Sequence, residues 1–576
     1  MTSRIAAFIV IAIVAATFIF GLMVGAQRDD RNGPADLIVV NGKVYTGDPG
    51  LFAEAVAVRG NQILRVGTNR EIKQLRRPQT AVIDARGGSV LPGFDDAHLH
   101  FISGGLDLET ANLLEALTLE QTQKALRTWA EAHPNRPWVL GSGWSYGAFP
   151  GGLPTRQQLD ALVPDRPAYI ECFDGHTAWA NTRALRLAGI TRATPDPKNG
   201  EIVRDPRTGE PTGALKEAAK RLMDKVLPQP RRTDRLQAIR SAMAEAHRYG
   251  VTSVQNAGGS VDDLELFDEL RRTGELKVRV YLALSVSPGF GEADAAQFEQ
   301  VRNRFGDDPL LKTGAVKLFI DGVVEAHTAV MLASYADAPA TGRPIYSQDE
   351  LNRIVSMMDA RGWQVMIHAI GDGGVRMALD AFEQAARVNP VPARGRRHRI
   401  EHIETIDPAD IPRFGTLGVI AVQQPYHASP VPSGMQFWLA AVGPERASRG
   451  WALASIRNAG GHLAMGSDWS VVSIDPRLEI HMAVNRTTPG GEPRGGWLPQ
   501  ERIPTDAAID AYTSGAAYAS FDERRKGRIT RGMLADLVVL SADVFSLPPE
   551  RLLDAAVNVT IFDGKVVYHR EPIRAQ

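Results

Sequence analysis

Two histidines one residue apart, His98 and His100, close the run Leu91-Pro92-Gly93-Phe94-Asp95-Asp96-Ala97. Side chains on a strand alternate with period two, so both imidazoles face the same way. Two neutral imidazoles on one face are half of a zinc-type site. Alone the pair is a weak signal, because a lone histidine is more often a satisfied core residue than a ligand. Further candidates follow along the chain. Lys317 lies within Val316-Lys317-Leu318-Phe319, where a buried ammonium is costly unless paired or neutralised. Carbamylation would make it an oxygen ligand able to bridge two metals; the alternative is a lysine paired at a strand end. His368 ends Val365-Met366-Ile367, His402 ends Arg399-Ile400-Glu401, and Asp468 ends Leu463-Ala464-Met465-Gly466-Ser467. Four histidines, a lysine and an aspartate at successive strand ends form a set that can hold divalent metal and move a proton from water.

The elements that must position them are legible in the pattern. Short apolar runs such as Val251-Thr252-Ser253-Val254, Val278 to Leu282 and Val419 to Val422 alternate with helical patterns over Arg235 to Tyr249 and Gln348 to Ala360. Alternation of this kind builds βα units around a parallel sheet. Glycine at the helix stops, Gly250 and Gly362, fits that reading. A (β/α)8 barrel is the closed form, and the ends of its strands converge on one mouth. A typical barrel needs about 250 residues. The surplus falls at 101–230, read as an insertion after the first strand.

Similar β segments flank the barrel. Leu37-Ile38-Val39-Val40, Asn41-Gly42 and Lys43-Val44-Tyr45 resemble Thr560-Ile561-Phe562, Asp563-Gly564 and Lys565-Val566-Val567-Tyr568. Each reads as a hairpin, since a type I′ turn takes positive φ at both central residues. The expected organisation is 35–90 with 527–576 as a composite β-sandwich and 91–526 as the barrel, preceded by a separate 1–34 segment.

The 576 residues are 44% apolar and carry a formal net charge of -1. No basic face of the kind nucleic acid requires is indicated. The one cysteine, Cys172, excludes an intramolecular disulfide and reads as a small buried hydrophobe. From Ile5 to Ala26 there is no charged residue. As a helix this stretch spans roughly 33 Å, enough for a bilayer. It reads as an uncleaved membrane anchor or as a signal peptide cut after Val24-Gly25-Ala26; either exports the rest of the chain, to the periplasmic face or as a secreted protein.

Taken together, Pro92 through His100, Asp174-Gly175-His176-Thr177-Ala178-Trp179, Val316 through Gly322, His368-Ala369-Ile370-Gly371-Asp372, Arg399-Ile400-Glu401-His402 and Gly466-Ser467-Asp468-Trp469 resemble the amidohydrolase superfamily. The similarity is to its amidohydrolase family 3 branch, that of YtcJ-like proteins and N-substituted formamide deformylases, and runs from Ala35 to the chain end. The resemblance implies metal ligation by His98, His100, Lys317, His368, His402 and Asp468. It further implies one or two divalent ions, zinc by expectation, and Asp468 as the catalytic base. Asp372 and Glu401 are expected to orient ligating histidines.

Departures remain. Glu325 and His327 stand where many relatives have Gly and Arg, and either contact substrate or merely line a loop. Gln255 and Asn256 stand where relatives often have a His-Asp pair. His176, Tyr426, His427 and Trp469 are read as facing the substrate. With Trp144, Tyr146, Phe149, Trp179, Phe437 and Trp438 they predict an apolar cleft for a bulky or aromatic small molecule, unless half of these rings are core. The expected reaction is hydrolysis of a non-peptide C–N bond. The rivals are an isomerase or lyase on the same centre, and a membrane-tethered binding protein; a homodimer is compatible with all three.

Overall fold

A computed structural model of the chain describes residues 33–570, apart from positions 49, 115, 430 and 431. The apolar stretch 5–26 lies outside the described residues. Among the described residues no helix is long and apolar enough to cross a membrane.

Eight parallel strands pair in chain order: β1 (Phe94–Leu99), β2 (Val251–Gly259), β3 (Arg279–Ser285), β4 (Leu311–Phe319), β5 (Gln364–Ala369), β6 (Arg399–His402), β7 (Ile420–Gln423) and β8 (His462–Met465). Their near-continuous burial, complete for β1, β5, β6 and β7, is the mark of parallel strands covered on both faces. Helices Arg232–Arg248 and Gln348–Ala360 return the chain to β2 and β5. Both are followed by glycines at positive φ, Gly250 at 81° and Gly362 at 70°.

The barrel is nearly closed, and the chain just past β8 bonds to β1. The Ser467 hydroxyl donates to Asp96 Oδ2 at 2.6 Å, and the Asp468 amide donates to the His98 carbonyl at 2.7 Å. A Cβ on Gly466 would lie 2.3 Å from the His98 nitrogen, so only glycine permits this approach.

The excursion between β1 and β2 carries a six-stranded sheet of its own. Trp144, Tyr146, Phe149 and Trp179 form its apolar cluster rather than a cleft wall. Cys172 is buried there, its thiol donating to the Trp144 carbonyl at 3.2 Å.

Two further sheets lie beside the barrel, one of four strands drawn from 37–84 alone and one of six strands built from both chain ends. Leu537–Leu540 lies between Ser89–Pro92 and Val557–Phe562. The Arg279 guanidinium at the start of β3 ties this layer to the barrel through Asp536 (2.6 Å) and Asp563 (2.9 Å).

One of the two expected hairpins forms. Val557–Phe562 and Lys565–His569 pair antiparallel across Asp563 and Gly564, both at positive φ. The Asn41-Gly42 expectation is corrected. Leu37–Val40 joins the four-stranded sheet and Lys43–Tyr45 the six-stranded one. Only Asn41 has positive φ. Its side chain donates to Asp84 Oδ1 at 3.0 Å and its amide to Asn69 Oδ1 at 2.7 Å. These bonds hold a corner between layers instead of a turn within one.

Candidate metal centre

The strand ends converge as the barrel geometry demands. His98 Nε2 and His100 Nε2 lie 3.4 and 3.2 Å from Asp468 Oδ1, and His402 Nδ1 lies 3.9 Å from Asp468 Oδ2. The Lys317 Nζ is 3.4 Å from His98 Nε2. The His98 and His402 rings stand 4.8 Å apart, and those of His368 and His402 4.4 Å. His98, His100 and Asp468 have donor atoms within 4.8 Å of one another, a spacing that can hold a cation. Asp468 Oδ1 and His402 Nδ1 are buried without a hydrogen-bond partner among the described residues. Such orphans are rare in a settled core. A divalent metal would satisfy them, and an all-nitrogen-and-oxygen donor set suits a first-row divalent ion. The residues present therefore fit the group.

Charge is arranged to keep these donors ready. Burial opposes a charge on Asp468, but His98, His100 and His402 hold its carboxyl well below the usual range. Burial pushes His368 and His402 well below the ordinary histidine value, so both imidazoles are neutral, the form that ligates. Burial also lowers Lys317, to about 8.

Glu401 is the expected orienting group. Its Oε2 accepts from His98 Nδ1 at 2.5 Å, leaving Nε2 aimed at Asp468. Arg399, two residues earlier and on the same strand face, donates to both Glu401 oxygens at 2.8 and 2.9 Å. Gln255 and Asn256 keep a supporting part despite departing from the family pattern. Gln255 Oε1 accepts from Arg399 at 2.6 Å, and Asn256 Oδ1 from the Phe101 amide at 2.9 Å.

Asp372 does not orient a histidine. It opens helix Asp372–Val388, and its Oδ1 accepts from the Leu332 amide at 2.9 Å. Asp321 stands nearer the site, 3.6 Å from His368 Nε2, and accepts the amides of Val330, Ile370 and Gly371.

A cavity of about 1740 Å³ opens over the centre. His176, Glu325, Tyr426 and His427 line it. His176 arrives from the insertion, its Nδ1 donating to Glu217 at 3.0 Å and its ring 5.7 Å from that of His368. Burial works against a charge on His176, yet the Glu217 carboxylate raises it to about 9. Two expected contacts do not reach the cavity. His327 is bonded to Asp337 at 2.8 Å and packs on Tyr335. Trp469 is buried over Phe101 and against Gly104.

Sequence reasoning missed Asp174, Glu217, Glu404 and Trp451 in the wall. The Asp174-Gly175-His176 motif was a usable pointer to the first. Glu217 lies on the far strand of the insertion, and only folding brings it to His176. Glu404 accepts from Trp438 Nε1 at 2.8 Å.

The model of the amidohydrolase family matches residues 81–568. The chain belongs to that family. Among relatives, Protein LONG AFTER FAR-RED 3 of Arabidopsis thaliana is 33% identical over 93% of this chain and 92% of its own. YtcJ of Bacillus subtilis is 30% identical over 92% and 98%, and the N-substituted formamide deformylase of Arthrobacter pascens 28% over 93% and 98%. A metal-dependent hydrolase of uncharacterized role from Pyrococcus horikoshii has a solved structure with TM-score 0.69 at 25% identity, covering 89% of this chain and 99% of that one. These likenesses make the protein an enzyme of the metal-dependent amidohydrolase type.

Proposed function

We propose that the protein hydrolyses a C–N bond other than a peptide bond, in a formamide, acyl amide or cyclic amide, at a metal centre held by His98, His100, Lys317, His368, His402 and Asp468. One observation carries the reading. A buried carboxylate, Asp468, stands within 4 Å of three imidazoles at the mouth of a nearly closed barrel. The formamide deformylase among the relatives supports the bond class.

A bound divalent ion supplies Lewis acidity toward the attacking water and the scissile carbonyl. The chain supplies the rest. Asp468 accepts the proton of the water on a carboxylate oxygen and returns it to the departing nitrogen. Glu401 fixes His98 in one tautomer. His176, held by Glu217, presents a positive edge toward the cavity where negative charge develops. Tyr426, Trp438 and Trp451 supply aromatic surface for a large acyl or amine group.

The test is a screen of N-formyl, N-acyl and cyclic amides with the metal-loaded and chelator-stripped protein, in oxygen-18 water. The label should enter the acid product, and stripping should abolish turnover. Full activity without metal, or product free of label, refutes the reading. The uncharged stretch 5–26 supports export; recovery of the full-length chain in the soluble cytosolic fraction would refute that part alone.

A further inference from the structure

His427 sits on the short turn Pro425–Ala428 after β7. The turn is pinned, with the Tyr426 amide donating to the buried Glu479 Oε2 at 2.7 Å and the His427 amide to the Gln424 carbonyl at 3.1 Å. The His427 Nε2 is buried with no hydrogen-bond partner among the described residues.

The free nitrogen has company. The His427 and His402 rings lie nearly parallel, 12° apart with centroids at 6.2 Å. Donor atoms of His402, His427 and Asp468 all fall within 4.8 Å of one another. His402 Nδ1, His427 Nε2 and Asp468 Oδ1 are all orphaned. Three residues of one cluster thus each carry an unpaired buried polar atom, which is unfavourable, and one cation would satisfy them together. His368, by contrast, has its Nε2 occupied, 3.3 Å from the Gly322 carbonyl oxygen.

We propose that His427 is a metal ligand: with His402 and Asp468 it forms a second cation position beside that of His98, His100 and Asp468, and Asp468 serves both. The proposal rests on the reading of this cavity as a metal centre, and its test reads metal rather than turnover.

Full-length protein is stripped with a chelator, reloaded with Co(II), and assayed for metal content and visible absorption. The wild type should hold two equivalents. His427→Gln should hold one and lose about half of the cobalt absorbance. His427→Cys should regain the second equivalent and add a thiolate-to-cobalt charge-transfer band, which a merely structural role would not produce. The proposal is overturned if the wild type holds a single equivalent, or if His427→Gln keeps two with an unchanged spectrum. Loss of the second ion in His368→Gln but not in His427→Gln overturns it as well. Absence of amide hydrolysis alongside loss of one ion in His427→Gln would instead sink the hydrolase reading and leave the ligand in place.

Discussion

Replacing Glu401 by glutamine tests the centre through a residue that touches no substrate. The carboxylate is fully buried between His98 and Arg399. Burial opposes its charge, but Arg399 and His98 hold its carboxyl at about 2, against an ordinary value of 4.5. At about 1.4 kcal/mol per pH unit, that gap corresponds to roughly 3 kcal/mol of stability. The sign follows from the depressed value: the contribution is complete above the ordinary value and is lost as pH falls through about 2. Glu401→Gln keeps the shape and removes the charge, while Arg399 retains Gln255 and the Ala97 carbonyl. Denaturant unfolding of the metal-free proteins should show the variant destabilised by up to about 3 kcal/mol near neutrality, with the difference shrinking as pH drops from 4.5 towards 2. With its orienting acceptor weakened, His98 should hold metal about 10- to 100-fold less tightly in a chelator competition. A stability difference independent of pH, or metal affinity unchanged in a folded variant, would refute this account of Glu401.

Four further outcomes follow from the structure. Asp468→Asn keeps an oxygen donor, so metal analysis should find at least one ion retained while turnover falls about 10²- to 10⁴-fold; near-normal rates would remove Asp468 as the base. Lys317→Ala should lose metal and recover part of it with short carboxylic acids, and unchanged metal content would refute the bridging role. Only the neutral amine adds CO2, and Lys317 is held near 8; carbamate formation, followed with carbon-13 bicarbonate, should therefore rise as pH passes upward through that value. Asp536→Ala leaves the buried Arg279 charge with only Asp563 as an ion-pair partner, and should cost about 3–5 kcal/mol in unfolding measurements.

Much of the barrel was legible because most of the parallel strands are buried on both faces and so leave an apolar run beside a polar residue. His98, Lys317, His368, His402 and Asp468 could be found one strand at a time for this reason. The Asn41-Gly42 turn misled for a complementary reason. The pair specifies a local reversal, but each arm joins strands other than its neighbour, Ala55–Arg59 for one and Phe52–Ala53 with Ser89–Pro92 for the other. The Asp563-Gly564 turn carries the same local signal, and there both arms do pair with each other.

The candidate site was harder to read wherever a residue acts through a contact across the chain. Asp372 and Asp321 show the difference. Both are acidic residues near strand ends, and position alone favoured Asp372 because it follows His368 by four residues. The backbone decides otherwise. Asp372 starts a helix and turns its carboxylate to the Leu332 amide. Asp321 comes from the end of the neighbouring strand β4, and three amides draw it beneath His368. Glu217 reaches His176 in the same way, from 41 residues on. His427 is the sharpest case, because histidine after a strand end fits a substrate contact and a metal ligand equally well. What separates the two is whether its free nitrogen meets other unpaired donors. Here His402 and Asp468 stand opposite it with unpaired atoms of their own, and unpaired donors facing one another within a buried core are most simply satisfied by a cation.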